Sequence, residues 1–302
     1  MTECQWNEED IDAFRNIMFR KWSAAAALAL LLYEYAITCG DEFTYIWRRQ
    51  NFNSVGGVYL FSRYFAIITQ SINLFLVAGV LGKPGTPHRM CRGWYSFQIT
   101  AASLTLAALD YILMLRVYAL YNRSPKIGFL LVFFFLSMLM ADFQCGSKTL
   151  NTVSYDSICN GRSVHPCIPF YGIALWSIHI TIGMMTAAKW RLLTLGAPIA
   201  RIVSRDGAFV LSIICVFYAS IMERAISMQA LRVELTFIWP ISLLSITCCR
   251  MIMNMQTVNV PNFFIDNDRS IPVFTSDVDL ICMEQEDLVS RLSAHTLESV
   301  EQ

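Results

Sequence analysis

Charged side chains stand inside long apolar stretches of this chain, and they are the residues best placed to do chemistry. Four of them, Glu34, Arg63, Asp110 and Arg116, interrupt runs that otherwise hold almost no charge. In hydrocarbon a charged side chain costs at least about 2.5 kcal/mol, so it normally faces the interior of a helix bundle and has a partner. We therefore predict an intramembrane charge cluster in which Arg63 pairs with Asp110 and Glu34 completes the group, while Arg116 extends to the membrane interface.

This predicted cluster has two interpretations. Buried ion pairs in some proteins only fix the register of the helices, and in others they switch between two arrangements. The sequence leaves both open. His179 is equally open, because a lone histidine in an apolar helix is either a packed, hydrogen-bonded side chain or a sensor of protons or ligands.

Catalytic and cofactor sites are not predicted. A zinc-type centre needs three or four converging donors, whereas His88 and His165 fall in loops, His179 in a helix and His295 near the end of the chain. The last apolar stretch lacks the lysine that a retinal Schiff base requires, and the chain shows no glycine-rich phosphate loop or nucleophile motif. We therefore expect neither enzyme activity nor a metal or cofactor.

Apolar stretches are the elements that must position the charges. Of the 302 residues, 55 % are hydrophobic and 15 % are charged, whereas soluble domains are about 25 % charged. A hydrocarbon core of about 30 Å needs about 20 apolar helical residues, and a helix satisfies its own backbone there. The sequence predicts an all-α polytopic membrane protein, a seven-transmembrane helical bundle. The predicted spans are Trp22–Cys39, Val55–Leu81, Trp94–Leu120, Ile127–Phe143, Ile168–Trp190, Ala208–Met228 and Val233–Met255.

A count of six spans is the alternative, because the sixth stretch contains the adjacent pair Glu223 and Arg224. Around the membrane domain, residues 22–255, we predict an acidic extracellular segment at 1–21 and a cytoplasmic tail at 256–302. The tail holds nine acids and two bases and has a composition typical of disorder. Lysine and arginine are almost balanced between the two sides, so the positive-inside rule does not decide the orientation.

Cysteines favour an orientation with the N-terminus outside. Four of them would then face an oxidising compartment, which permits a disulfide to Cys91 from one of the others or leaves all of them unpaired. These four are Cys91, Cys145, Cys159 and Cys167. Cys248 and Cys249 would lie at the cytoplasmic end of the last span, where palmitoylation and simple packing are both plausible.

One stretch carries a family resemblance. From Tyr33 to Tyr64 the chain reads YEYAITCGDEFTYIWRRQNFNSVGGVYLFSRY. Its acidic, Ile-Trp and Arg-Tyr elements resemble the N-terminal signature of a fungal family catalogued as domain of unknown function 6533, which usually has Asp at the first acidic position. Segments 115–124 and 204–211 are similar to the same family. The resemblance implies a seven-helix membrane protein of basidiomycete fungi and names no ligand. The signature residues here are Glu34, Glu42, Ile46, Trp47, Arg63 and Tyr64.

Sensing is the function that the sequence favours. A seven-helix bundle with a cysteine-bearing outer loop, buried charges and an acidic tail has the parts of a receptor-like switch, by analogy of architecture. Residues 115–118 read LRVY rather than the Asp-Arg-Tyr of rhodopsin-like receptors, so coupling to a G protein is not predicted. The alternative is a non-signalling membrane scaffold or lipid-associated protein, and an odd helix count disfavours a transporter built from paired repeats.

A sensor of this kind has three expected partners, which are the lipid bilayer, an extracellular ligand and a cytoplasmic protein. We expect it to be a multi-pass protein of the plasma membrane. Nucleic acid is not expected, because the arginines are scattered singly at helix ends rather than gathered in a basic stripe. A receptor should have a chamber opening outward between the third, fifth, sixth and seventh spans, whereas a scaffold should be packed shut.

Overall fold

Long helices make up nearly all of the chain that the structure describes. The computed structural model describes residues 8–47, 54–82, 85–156, 158–161, 166–188 and 234–257, with single positions between 212 and 223. Within these ranges six helices are long and apolar enough to cross a bilayer. The protein is therefore an all-helical, multi-pass membrane protein. The six are α1 (Glu8–Glu42), α2 (Ser54–Ala78), α3 (His88–Leu120), α4 (Pro125–Thr152), α5 (Cys167–Ala188) and α6 (Trp239–Thr257).

These helices correspond to the first five predicted spans and the seventh. The sixth predicted span, Ala208–Met228, lies mostly outside the described residues, as does the acidic tail from residue 258 onward. α1 begins at Glu8, well before the predicted start at Trp22. Its 35 residues extend about 52 Å at 1.5 Å per residue, which exceeds the hydrocarbon core of about 30 Å.

Two π-helical segments adjoin these helices. One, Phe43–Trp47, follows α1, and the other, Glu234–Ile238, leads into α6. Pro240 accounts for the second, because proline has no backbone N–H and its ring clashes with the carbonyl four residues earlier. The carbonyl of Ile238 there accepts a hydrogen bond from Nε2 of Gln70 on α2 at 2.9 Å. The distortion expected at Pro240 is thus a wider turn that receives a donor from a neighbouring helix.

Two disulfides define one end of the bundle, which we call the disulfide end. Cys91, in the first turn of α3, is bonded to Cys159 in the loop after α4. Cys145, near the end of α4, is bonded to Cys167 at the start of α5. Hence α3 and α5 begin at this end and α4 finishes there.

The opposite end, which we call the charged end, is defined by contacts between helix termini. The hydroxyl of Tyr121, just after α3, donates to the carbonyl of Met185 near the end of α5 at 3.1 Å. Arg116 of α3 donates from Nη2 to the carbonyl of Met251 of α6 at 2.8 Å. Both α5 and α6 therefore run from the disulfide end to the charged end.

The core lies around α6, which is mostly buried and packs against α1, α2 and α3. Met251 and Ile252 of α6 join Tyr59 of α2 and Leu109 of α3 in the largest buried cluster. α4 is mostly exposed and presents large apolar side chains, as expected of a helix that faces acyl chains. The charged residues of α1 and α2 thus meet the most buried helix of the bundle.

Candidate functional site at the charged end

The carboxylate of Glu42 is the centre of a polar cluster at the charged end. Glu42 is the last residue of α1 and is only 2 % exposed. Its Oε1 accepts hydrogen bonds from Nε1 of Trp47 and from the hydroxyl of Tyr64, each at 3.0 Å. Its Oε2 lies 3.1 Å from Nε of Arg63. The π-helical turn after α1 makes the first contact possible, because it brings Trp47 back over the carboxylate.

Arg63 of α2 is held by all of its nitrogens. Besides the pair with Glu42, Nη1 donates to the hydroxyl of Tyr59, one turn earlier on the same helix, and Nη2 donates to the carbonyl of Tyr35 at 2.9 Å. The guanidinium carbon also lies 4.7 Å from the centre of the Tyr35 ring. A buried arginine with this many partners is well compensated for its loss of water.

A second ion pair joins α1 to α6. Arg250 donates from Nε to Oε1 of Glu34 and from Nη2 to Oε2 at 2.8 Å, a bidentate arrangement. The Glu34 side chain is 11 % exposed and that of Arg250 is 60 % exposed. Because bidentate Arg–carboxylate pairs fix orientation as well as distance, this pair sets how α1 and α6 meet.

A cleft of about 270 Å³ lies between α1, α2 and α6 beside these two pairs. Its lining includes Glu34, Arg63 and Arg250 among polar groups, with Leu31 and Ile67 at its apolar part. A smaller apolar cavity of about 120 Å³ lies between α3, α4 and α5 and includes Met114 and Met185. The outward chamber expected of a receptor involves the sixth predicted span, which lies outside the described residues.

The predicted pairing of Arg63 with Asp110 is wrong. Arg63 faces α1, whereas Asp110 of α3 faces α5, where its Oδ1 lies 3.0 Å from Nε2 of His179. Nδ1 of His179 lies 2.9 Å from the carbonyl of Leu175, one turn earlier. Counting residues along each predicted span does not tell which face of each helix meets which neighbour. His179 is therefore a paired core residue rather than an isolated one.

The remaining member of the predicted cluster, Arg116, does not extend outward. It is half-buried and donates to the carbonyl of Met251 of α6. One intramembrane acid was missed: Asp142 of α4 lies beside the hydroxyl side chains of Ser103 on α3 and Tyr171 on α5. The signal was present, since Asp142 is the only acid in the fourth apolar stretch. In the described residues no three His, Cys, Asp or Glu side chains are grouped so as to hold a metal ion.

At the disulfide end, the structure assigns the partners that the sequence left open. The bridges are Cys91–Cys159 and Cys145–Cys167.

Sequence analysis missed Arg20 of α1, which is 1 % exposed. It donates to the carbonyl of Ile158 at 2.8 Å and to Oδ1 of Asn160 at 2.6 Å, in the bridged loop. The only sequence signal for Arg20 was its position just before the first apolar stretch.

Neither cysteine proposed for palmitoylation has an exposed side chain. Cys248 is 0 % exposed and packs in the main core cluster. Cys249 is half-buried, and its Sγ lies 4.0 Å from the carbonyl of Tyr59 on α2. Acylation needs an accessible thiol, so the structure favours the alternative of packed free cysteines. Cys39 of α1, by contrast, is a free cysteine with an exposed side chain.

A network of buried amides joins α2 and α3 toward the disulfide end. Oδ1 of Asn73 accepts from Nε1 of Trp94 at 3.0 Å and from Nε2 of Gln98 at 2.7 Å. Gln70 donates from Nε2 to the carbonyl of Ile238, and its Oε1 accepts a hydrogen bond from Nδ2 of Asn73 at 3.3 Å. These hydrogen bonds link buried side chains of α2 and α3, and they specify how the two helices pair.

Comparison with known families finds a match to part of the chain. A family described as "Family of unknown function (DUF6533)" matches residues 22–68, from within α1 to within α2. No curated protein and no solved structure matches the chain. The matched segment contains the whole Glu42 cluster, including Arg63, and one partner, Glu34, of the ion pair with Arg250. The residues that carry the resemblance noted in the sequence all lie within this match, and they are Glu34, Glu42, Ile46, Trp47, Arg63 and Tyr64.

Proposed function

We propose that this protein is a receptor-like seven-helix sensor in which α1 carries a change at the disulfide end to the ion pairs at the charged end. One observation supports this most directly: α1 is a continuous helix that carries one buried charged contact at the disulfide end of the bundle and another at the charged end. Arg20 binds the disulfide-bridged loop, and Glu34 and Glu42 bind α6 and α2. The family that matches this segment has no assigned activity, so the proposal depends on the geometry.

The coupling is mechanical. Arg20 and Glu34 are fourteen residues apart, about 21 Å along a helix, and a hydrogen-bonded helix transmits displacement over that length. A ligand that moves the bridged loop would therefore shift Glu34 against Arg250. Two discrete arrangements of the ion pair would make this a switch.

The helix directions support the seven-helix count and the orientation. α5 and α6 run in the same direction, and α5 ends at the charged end whereas Phe237, just before α6, contacts Tyr95 at the disulfide end. This arrangement supports one further crossing, which the proposal assigns to the sixth predicted span. Disulfides persist in oxidising compartments, so the proposal places the disulfide end outside the cell, in the plasma membrane, and the charged end in the cytoplasm.

Spin-label distance measurement tests this coupling. One label is placed on Cys39, which is exposed on α1 near the charged end. The other is placed on the Ser124→Cys variant, before α4 at the same end, and Cys4, Cys215 and Cys282 are replaced by serine to remove other reactive thiols. In lipid nanodiscs, Arg20→Ala should shift the distribution of distances between the two labels by about 2 Å or more, the size of known helix shifts.

The matched control is Arg15→Ala, which removes an exposed arginine of α1 that pairs only locally with Asp12 at 3.4 Å. It should leave the distribution unchanged. The alternative function, a non-signalling scaffold, predicts the same unchanged distribution for Arg20→Ala even when Arg250→Ala shifts it. That result would refute the sensor proposal. Gel filtration of each variant shows whether the variant is folded, so that misfolding is not mistaken for a change in the helix positions.

A further inference from the structure

The cleft between α1, α2 and α6 changes character along its length. From Leu31 to Asp41 its α1 wall follows one helix face over ten residues, about 15 Å. Leu31 lies beside Ile67 and Ile246 at the end nearer the membrane centre, whereas Asp41 lies at the end of α1. The lining is thus apolar where a bilayer is hydrocarbon and charged where a bilayer has headgroups.

We propose that this cleft binds one zwitterionic phospholipid, with the phosphodiester on Arg250 and an acyl chain against the apolar end. This inference goes beyond the sensor proposal and does not depend on whether α1 transmits a change. The exposed apolar side chains of Tyr33 and Ile37 lie on α1 next to the lining residue Glu34. They place the bilayer beside the cleft, so a lipid enters without crossing water.

The geometry of Arg250 favours an anionic group at this position. Its side chain is 60 % exposed, while that of its partner Glu34 is 11 % exposed. Glu34 takes Nε and Nη2 of the guanidinium, so the two hydrogens of Nη1 lie outside that pair. A guanidinium whose Nη1 hydrogens lie outside its ion pair is suited to bind a phosphate oxygen. Arg63 is not such a donor, because protein groups occupy all three of its nitrogens.

The charge balance of the lining selects a zwitterion over an anion. Two acids, Glu34 and Asp41, and two bases, Arg63 and Arg250, line the cleft. Asp41 is exposed, and its carboxylate provides a counterion for the ammonium of an ethanolamine or choline headgroup. A headgroup with a net negative charge would meet Asp41 without compensation.

The size of the cleft defines how much of the lipid it holds. Its volume of about 270 Å³ is slightly below the roughly 300 Å³ at which small-molecule pockets begin. It therefore accommodates a headgroup and the beginning of one chain, with the rest of the lipid in the bilayer.

Native mass spectrometry of the delipidated protein tests this proposal. The full chain in detergent is titrated with phosphatidylcholine, phosphatidylglycerol, diacylglycerol or soluble glycerophosphocholine. One phosphatidylcholine should bind at least about tenfold more tightly than phosphatidylglycerol or diacylglycerol, as expected for a charge-assisted contact. Glycerophosphocholine should not displace it, because that molecule has no chain. Equal binding of diacylglycerol, or displacement by glycerophosphocholine, would overturn the proposal.

Variants locate the site. Arg250→Ala should weaken phosphatidylcholine binding about tenfold, whereas Lys126→Ala, an exposed cation at the same end but outside the cleft, should not. Since Arg250→Ala also removes the partner of Glu34, Asp41→Asn is the second variant. Asp41 is an exposed residue at the rim, so its loss should remove the preference for phosphatidylcholine over phosphatidylglycerol while the protein remains folded. An unchanged preference would contradict the assignment of the ammonium to Asp41.

Discussion

Arg63→Ala should destabilise the protein strongly. Arg63 is buried and pairs with Glu42, which is buried too, so the substitution leaves a carboxylate in the core without its cation. Removing one partner of a buried pair costs about 3–5 kcal/mol. Glu42 keeps the hydrogen bonds from Trp47 and Tyr64, each worth about 1.5–3 kcal/mol to a charged acceptor. We therefore expect a loss near the lower limit, about 3 kcal/mol of unfolding free energy.

Two double variants test which residue is the partner. Glu42→Gln in the Arg63→Ala background removes the uncompensated charge and should recover about 1–2 kcal/mol, a coupling typical of residues in direct contact. Asp110→Asn in the same background should give no rescue, because Asp110 has a different partner, His179. Its effect should add to that of Arg63→Ala within about 0.5 kcal/mol. Unfolding by SDS in mixed micelles, followed by tryptophan fluorescence, measures all of these free energies. Rescue by Asp110→Asn without rescue by Glu42→Gln would refute the assignment.

Four other features of the structure give further expectations. His179→Ala should cost about 3 kcal/mol by leaving Asp110 unpaired in the core, and Asp110→Asn should restore part of it; an effect below about 1 kcal/mol would mean that the pair is not formed. Asn73→Leu should cost about 2 kcal/mol in the same assay because two buried donors lose their acceptor, whereas the exposed substitution Asn151→Leu should cost little. A membrane-permeant maleimide should label Cys39 in native membranes and leave Cys248 unmodified until SDS is added, and equal labelling rates would contradict the burial of Cys248. Non-reducing peptide mapping should recover the bridged pairs Cys91–Cys159 and Cys145–Cys167 rather than any other combination.

Hydrophobic length was sufficient to predict the helical fold. Lipid requires a helix wherever about 20 apolar residues run together. The bounds of α2, α3, α5 and α6 lie within six residues of the expected spans, whereas α4 continues nine residues past the predicted end at Phe143. The end of α1 was harder to predict from the sequence. Residues such as Gly40 and Asp41 favour a helix end in water, and on that basis Glu42 belongs to a loop. Tertiary pairing of Glu42 with Arg63 and Tyr64 outweighs that preference.

The candidate site was predictable as a set of residues but not as a set of pairs. Burial cost alone identifies Glu34, Arg63 and Asp110 as residues that need partners. The choice of partner depends on helix rotation and on neighbour order, which one sequence does not contain. Arg250 shows the limit most clearly, since it stands at the end of its apolar stretch like an ordinary interfacial arginine, yet it forms the bidentate pair with Glu34.

The direction of the first and last described helices has a consequence for how the two termini can be regulated. α1 starts at the disulfide end and α6 finishes at the charged end, so epitopes fused before Glu8 and after Thr257 report two separate aqueous compartments. A reagent or enzyme confined to one compartment therefore reaches either the bridged loop beside Arg20 or the pair of Glu34 with Arg250, and never both from the same side.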